Sequence, residues 1–217
     1  MTIDNMIDID EIEANIQNKK ANYYDDLFFQ SLGEFPIRRE AVRYLLKNNV
    51  EKSSRILDVG CGTGELLSFL RKKGFTHLYG NDISSEMLKV AQTKLNDAKY
   101  YLGNINKIVF EEKYDYIIIT EVLHHIPNLA TTFNSLKSIL SEQGQIIIIE
   151  PNMEWQFEDY RKGDNVAIML YLPLIVLHKY AIIKNRKRIR DNIRNDSSDT
   201  FNPFHRHLTR SEIKETS

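Results

Sequence analysis

The segment Arg55-Ile-Leu-Asp58-Val-Gly60-Cys-Gly62-Thr-Gly64-Glu65 constrains this chain more than any other. Its apolar run, Ile56 to Val59, reads as a strand covered on both faces, as in a parallel sheet. The run breaks into glycines at alternate positions, Gly60, Gly62 and Gly64. Glycine adopts φ > 0 and lets a ligand approach the backbone. Glu65-Leu-Leu-Ser-Phe-Leu then has the pattern of a starting helix. Strand, glycine turn and helix in this order form the crevice that holds a nucleotide-like ligand in an open α/β sheet.

The spacing narrows the ligand. A dinucleotide turn reads G-x-G-x-x-G, with a helix N-terminus holding the pyrophosphate. Here the turn reads G-x-G-x-G, with Asp58 before it and Glu65 after it. Two carboxylates around the loop repel a pyrophosphate. They suit a ligand with positive charge and no phosphate, and S-adenosylmethionine, with its sulfonium and amino group, meets that description. Asp82 ends the next apolar run, Leu78-Tyr-Gly-Asn-Asp82. A carboxylate about 20 residues on is the expected acceptor for ribose hydroxyls.

Four ordered segments together resemble the class I S-adenosylmethionine-dependent methyltransferases. Residues 55–65 resemble their first motif, and Gly80-Asn-Asp82-Ile83-Ser their ribose-binding strand end. Tyr114-Asp-Tyr-Ile-Ile-Ile-Thr-Glu121-Val-Leu-His124-His125 resembles their fourth strand, and Gly144-Gln-Ile-Ile-Ile-Ile-Glu150-Pro151 their fifth. The Leu-His-His and Glu-Pro variants most resemble small-molecule methyltransferases, including those of quinone biosynthesis. The resemblance implies a Rossmann-like, doubly wound, mostly parallel α/β sheet with S-adenosyl-L-methionine as cofactor. The cofactor contacts that it implies are Asp58, Gly60, Cys61, Gly62, Gly64, Asp82, Ile83, Asn104, Ile105 and Glu121. In the family the place of Asn104 often carries an aspartate that accepts from the adenine amino group. An amide oxygen accepts the same bond without charge.

Strands are expected near 54–59, 76–81, 98–102, 114–120 and 145–150, with helices near 64–73, 85–96 and 129–140. Strands alternating with helices are the signature of βαβ units. The core spans 53–151, after a helical, aromatic-bearing lead-in over 1–52 in which Pro36 opens a helix. Residues 152–217 read as a helical lid or substrate segment inserted after the fifth strand, with an incomplete C-terminal end. Val166–Leu177 is nearly all apolar, and six basic residues lie between Lys184 and Arg194. For 166–194 three readings stay open: a lid or homodimer surface, peripheral contact with an anionic membrane, or plain core.

Glu121 and His125 are the candidate catalytic residues. A histidine removes a proton from a hydroxyl at neutral pH, and the other reading of His125 is packing beneath the cofactor. Asp82 alternatively caps the helix after it. No metal-ligand spacing appears. With 217 residues and a net charge of −1 there is no basic field for nucleic acid. The one cysteine, Cys61, fits a reducing cytoplasm, with peripheral placement at the inner membrane face as the membrane reading requires. The expected function is methyl transfer to a small, apolar acceptor. The competing functions are a non-catalytic cofactor-binding or partner-binding protein, a truncated methyltransferase, and a nicotinamide oxidoreductase.

Overall fold

The computed structural model describes residues 8–25, 36–151 and 166–171. The elements follow in chain order as α1 (Ile9–Lys20), α2 (Pro36–Lys47), β1 (Arg55–Val59), α3 (Glu65–Lys72), β2 (His77–Asp82), α4 (Ser85–Lys94) and β3 (Lys99–Leu102). Then come β4 (Tyr114–Thr120), a 3-10 turn (Leu123–His125), α5 (Leu129–Ile139), β5 (Leu140–Pro151) and β6 (Val166–Tyr171). The strands form one parallel sheet in the order β3-β2-β1-β4-β5-β6. β1 lies inside it, with Ile56 beside Leu78 on one flank and Tyr116 on the other.

Successive side chains of a strand point to opposite faces, so the unbroken apolar runs cover both. Ile56, Leu78, Ile118, Ile147 and Ile149 pack with Ala41, Val42 and Leu45 of α2 and Leu66, Leu67 and Leu70 of α3. Their neighbours Leu57, Tyr79, Ile117, Ile119 and Ile148 pack with Leu129, Phe133 and Leu136 of α5. This gives the doubly wound arrangement that the alternating pattern implied. The order reverses between β1 and β4, and the crevice lies at their carboxyl ends.

α1 differs from the other helices. None of its residues is buried, and it sits over the start of α4 through polar contacts. Asn18 Oδ1 accepts from Ser84 Oγ at 2.7 Å and from the Glu86 amide at 3.2 Å.

Two expectations are corrected. β5 begins at Leu140 rather than near 145, because a bulge opposite Tyr114–Tyr116 lets Leu140 pair with Tyr114 before Gln145 pairs with Tyr116. The six described residues of the expected helical segment, Val166–Tyr171, are a strand, paired with β5 from Ile146↔Val166 to Pro151↔Tyr171. A short apolar run does not distinguish a buried strand from a helix by periodicity. The backbone of β5 needs a partner on its outer side, and 152–165 is long enough for a parallel crossover. The rest of the lid segment, with its basic run, lies outside the described residues. Among the described residues no helix is long and apolar enough to cross a membrane.

Candidate cofactor and active site

The glycine loop is held by what surrounds it. Gly60, Gly62 and Gly64 have φ of 67°, 52° and 76°. A methyl group on Gly60 would come within 2.3 Å of Val122, and one on Gly64 within 2.9 Å of the Ala91 methyl group. One on Gly62 would meet nothing within 4 Å. The outer glycines allow close packing, and the middle one faces open space. The Cys61 amide donates to the Asn81 carbonyl at 2.9 Å, which ties the loop to β2.

Asp82 clasps this loop to α4. Its Oδ2 accepts from the Gly62 amide and its Oδ1 from the Ser84 amide, both at 2.8 Å. Ser84, not Asp82, caps α4, accepting from the Met87 amide at 3.1 Å. With about four lone-pair sites, the carboxylate of Asp82 keeps acceptor capacity beyond its backbone donors. Burial pushes its pKa up to about 6, against the backbone donors that pull it down.

One cavity opens at the carboxyl ends of the strands. Of the sequence-predicted residues, Gly60, Gly62, Asp82, Ile83, Asn104, Ile105, Glu121 and His125 line it. Cys61 and Gly64 do not border it. The Cys61 side chain is buried in the core beside Gly80, and burial pushes its thiol well above the usual range. Asp58 lies behind the loop, 1% exposed, with Oδ1 lacking a hydrogen-bond partner. Burial raises its pKa to about 7, Arg38 opposes that shift and Asp82 adds to it. Glu65, read above as repelling phosphate, is 3.2 Å from Lys94 and not on the cavity. The acidic lining comes instead from Asp10, Glu13, Asp82 and Glu121.

Sequence reasoning missed the residues that reach the cavity from the lead-in. Arg38 of α2, 5% exposed, brings a guanidinium to it. Tyr24 borders it, its phenol raised above the usual range by burial. Asp10, Glu13 and Gln17 come from one side of α1. No motif marks these positions. Their only signal is the i, i+3, i+7 spacing of Asp10, Glu13 and Gln17, which places them on one helix face.

Asn104 is oriented from both sides. Its Nδ2 donates to Asp10 Oδ1 at 2.7 Å, and its Oδ1 accepts from the Asn106 amide at 2.9 Å. Glu121 holds φ of 57°, and its amide donates to the Ile149 carbonyl at 2.9 Å. A non-glycine residue in that region stores strain of a kind that concentrates at functional sites. His125 Nδ1 lies 3.3 Å from Glu13 Oε1. The His124 side chain lies outside the described residues. Among the described residues no cluster of three or more His, Cys, Asp or Glu could hold a metal.

The chain is 33% identical over 124 residues to an uncharacterized protein of Methanocaldococcus jannaschii, covering 54% of this chain and 33% of that one. It is 26% identical over 115 residues to the demethylmenaquinone methyltransferase of Thermotoga maritima, covering 52% and 49%. A solved S-adenosylmethionine-dependent methyltransferase of Clostridium acetobutylicum matches with a TM-score of 0.50 at 25% identity, over 60% of this chain and 56% of that one. The chain spans about half or less of the length of these proteins. The methyltransferase-domain family matches residues 35–208, most of the sequence, and the chain belongs to that family.

Proposed function

We propose that this chain is an S-adenosylmethionine-dependent methyltransferase acting on a small, apolar acceptor of the phenol or reduced-quinone type. The observation that carries the reading is the cavity at the carboxyl ends of β1, β2 and β4. Gly62 leaves open space there, and Asp82 sits beside it. The residues present fit the cofactor. Asp82 offers acceptor directions to the ribose, Asn104 offers an amide to the adenine, and Ile83 and Ile105 offer apolar walls. Arg38 suits the carboxylate of the amino-acid end. Asp58, with an unbonded buried oxygen, suits its ammonium group through the loop. When bound, the cofactor supplies an electrophilic methyl group on a sulfonium.

The remaining task of the protein is orientation. Fixing two reactants in line supplies on the order of 7–11 kcal/mol of the barrier. Glu121, held in its strained conformation by the Ile149 carbonyl, brings a carboxylate to the cavity where a cation is stabilised. The acceptor class is taken from the name of the Thermotoga maritima relative and from the apolar members of the cavity wall, Ile9, Val59, Ile126 and Pro127. The single cysteine supports a cytoplasmic location. The basic residues between Lys184 and Arg194 support contact with an anionic membrane, which would bring the protein to an apolar acceptor. Labelled S-adenosylmethionine incubated with a panel of phenols and naphthohydroquinones tests the activity. Label in an organic-soluble product supports it. Cofactor binding without transfer to any member would favour a non-catalytic binding protein.

A further inference from the structure

Two helices far apart in sequence meet at the histidine that borders the cavity. His125 closes the 3-10 turn after β4, its amide donating to the Val122 carbonyl at 2.9 Å and Leu123 fully buried beside it. The imidazole therefore stands on a fixed support. Opposite it, Glu13 Oε1 lies 3.3 Å from Nδ1, with side chains 12% and 23% exposed for Glu13 and His125. Gln17, one turn further along α1, donates from Nε2 to the same Oε1 at 2.7 Å. α1 is itself pinned at both ends, by Asp10 to Asn104 and Lys107 and by Asn18 to Ser84. The Glu13–His125 contact is close but not yet aligned as a hydrogen bond. Such contacts tighten when substrate binds.

We propose that Glu13, held by Gln17, is a positioning residue that sets His125 as the base for a ring-hydroxyl acceptor. This rests on the methyltransferase reading above. A carboxylate facing Nδ1 fixes the proton there and leaves Nε2 in the proton-accepting form, the logic of carboxylate–imidazole pairs generally. In the reaction the acceptor O–H bond breaks and its proton passes to Nε2. The acceptor oxygen forms a bond to the methyl carbon as the carbon–sulfur bond breaks, and that electron pair stays on sulfur. The sulfonium becomes a neutral thioether and the imidazole an imidazolium, so charge balances. The other ionisable groups around the same cavity are Asp10 on α1, Tyr24, Arg38 on α2, Asp82 at the end of β2 and Glu121 at the end of β4. Of these residues and Glu13, it is the Glu13 carboxylate that lies against Nδ1, at 3.3 Å.

The test starts with nitrogen-15 NMR of His125 in the protein without cofactor, wild type against Glu13→Gln. The wild type should carry its neutral proton on Nδ1. Loss of the carboxylate charge should lower the titration midpoint of His125 by about one pH unit, since an opposite charge at this distance favours imidazolium. Equal midpoints, or a neutral proton on Nε2 in the wild type, would overturn the pairing. The second arm uses 1,4-naphthohydroquinone under anaerobic conditions with labelled S-adenosylmethionine. The rising limb of kcat/KM against pH should move down with the NMR midpoint in Glu13→Gln and vanish in His125→Ala. A limb that ignores both substitutions would overturn the base. No transfer by the wild type would overturn the ring-hydroxyl class. Failure of the wild type to bind S-adenosylhomocysteine would instead strike the cofactor reading, because the NMR arm needs no cofactor.

Discussion

Asp82 joins the loop, the helix start and the cavity through one carboxylate. Asp82→Ala should weaken S-adenosylhomocysteine binding by roughly 1.5–3 kcal/mol, the scale of hydrogen bonds to a charged group. It should also lower the melting temperature, because the Gly62 and Ser84 amides lose their acceptor. A folded variant with unchanged affinity would reduce Asp82 to a structural clasp. The pH dependence follows from Asp58 and Asp82, whose pKa values rise to about 7 and about 6 from a usual 3.8. The folded state then holds protons that the unfolded chain releases. These groups therefore cost stability above pH 7, and that cost disappears as pH falls toward 4. Their ionised forms are the ones that attract an ammonium or sulfonium. Between pH 8 and pH 5.5 the protein without cofactor should gain stability from these groups while cofactor affinity falls. Scanning calorimetry and titration at each pH read the two opposed trends. The glycines separate in the same way. Gly64→Ala should lower the melting temperature, since its methyl group meets Ala91 at 2.9 Å. Gly62→Ala has no such clash, so it should lower the melting temperature only through its φ of 52°, by less than Gly64→Ala, and should lower cofactor affinity as well.

The strands of the core were legible as short apolar runs, and the helices from the segments that alternate with them. Ile56 to Val59 and Ile117 to Ile119 are buried on both faces, and α4 and α5 begin where expected, although Ser84 and Asn128, which cap them, were not singled out in the sequence. α5 packs on one face of the sheet through Leu129, Phe133 and Leu136, and Phe133 is fully buried. Phe133→Ala should cost about 3–5 kcal/mol in chemical denaturation. α1 was not legible as part of the site. Its contacts, Asp10 to Asn104, Glu13 to His125 and Asn18 to Ser84, each bridge more than 60 positions, and no local pattern encodes such pairings. Val166–Tyr171 was misread for a related reason, since only the open side of β5 decides that this run is a strand. No residue of α1 is fully buried, and its long-range hydrogen bonds run through Asp10 and Asn18. Asn18→Ala, which removes the acceptor for Ser84 Oγ and the Glu86 amide, should speed release of S-adenosylhomocysteine in stopped-flow displacement. The melting temperature should change little. Unaltered release would mean that α1 does not gate the cavity.

At the level of the whole chain, the glycine loop and Asp82 pointed to the correct crevice, but the charge argument rested partly on the wrong residue. Glu65 pairs with Lys94 and leaves the cavity to Asp10, Glu13, Asp82 and Glu121. A nearly neutral chain, with net charge −1, thus concentrates carboxylates around one opening, which among the described residues is also lined by the arginine Arg38. That lining opposes a pyrophosphate and accommodates a zwitterionic, sulfonium-bearing ligand. Isothermal titration calorimetry of the purified chain with S-adenosylhomocysteine and, separately, with NAD tests this most directly. The account predicts one-to-one binding of S-adenosylhomocysteine and no heat of binding from NAD. Tight NAD binding with no response to S-adenosylhomocysteine would contradict it.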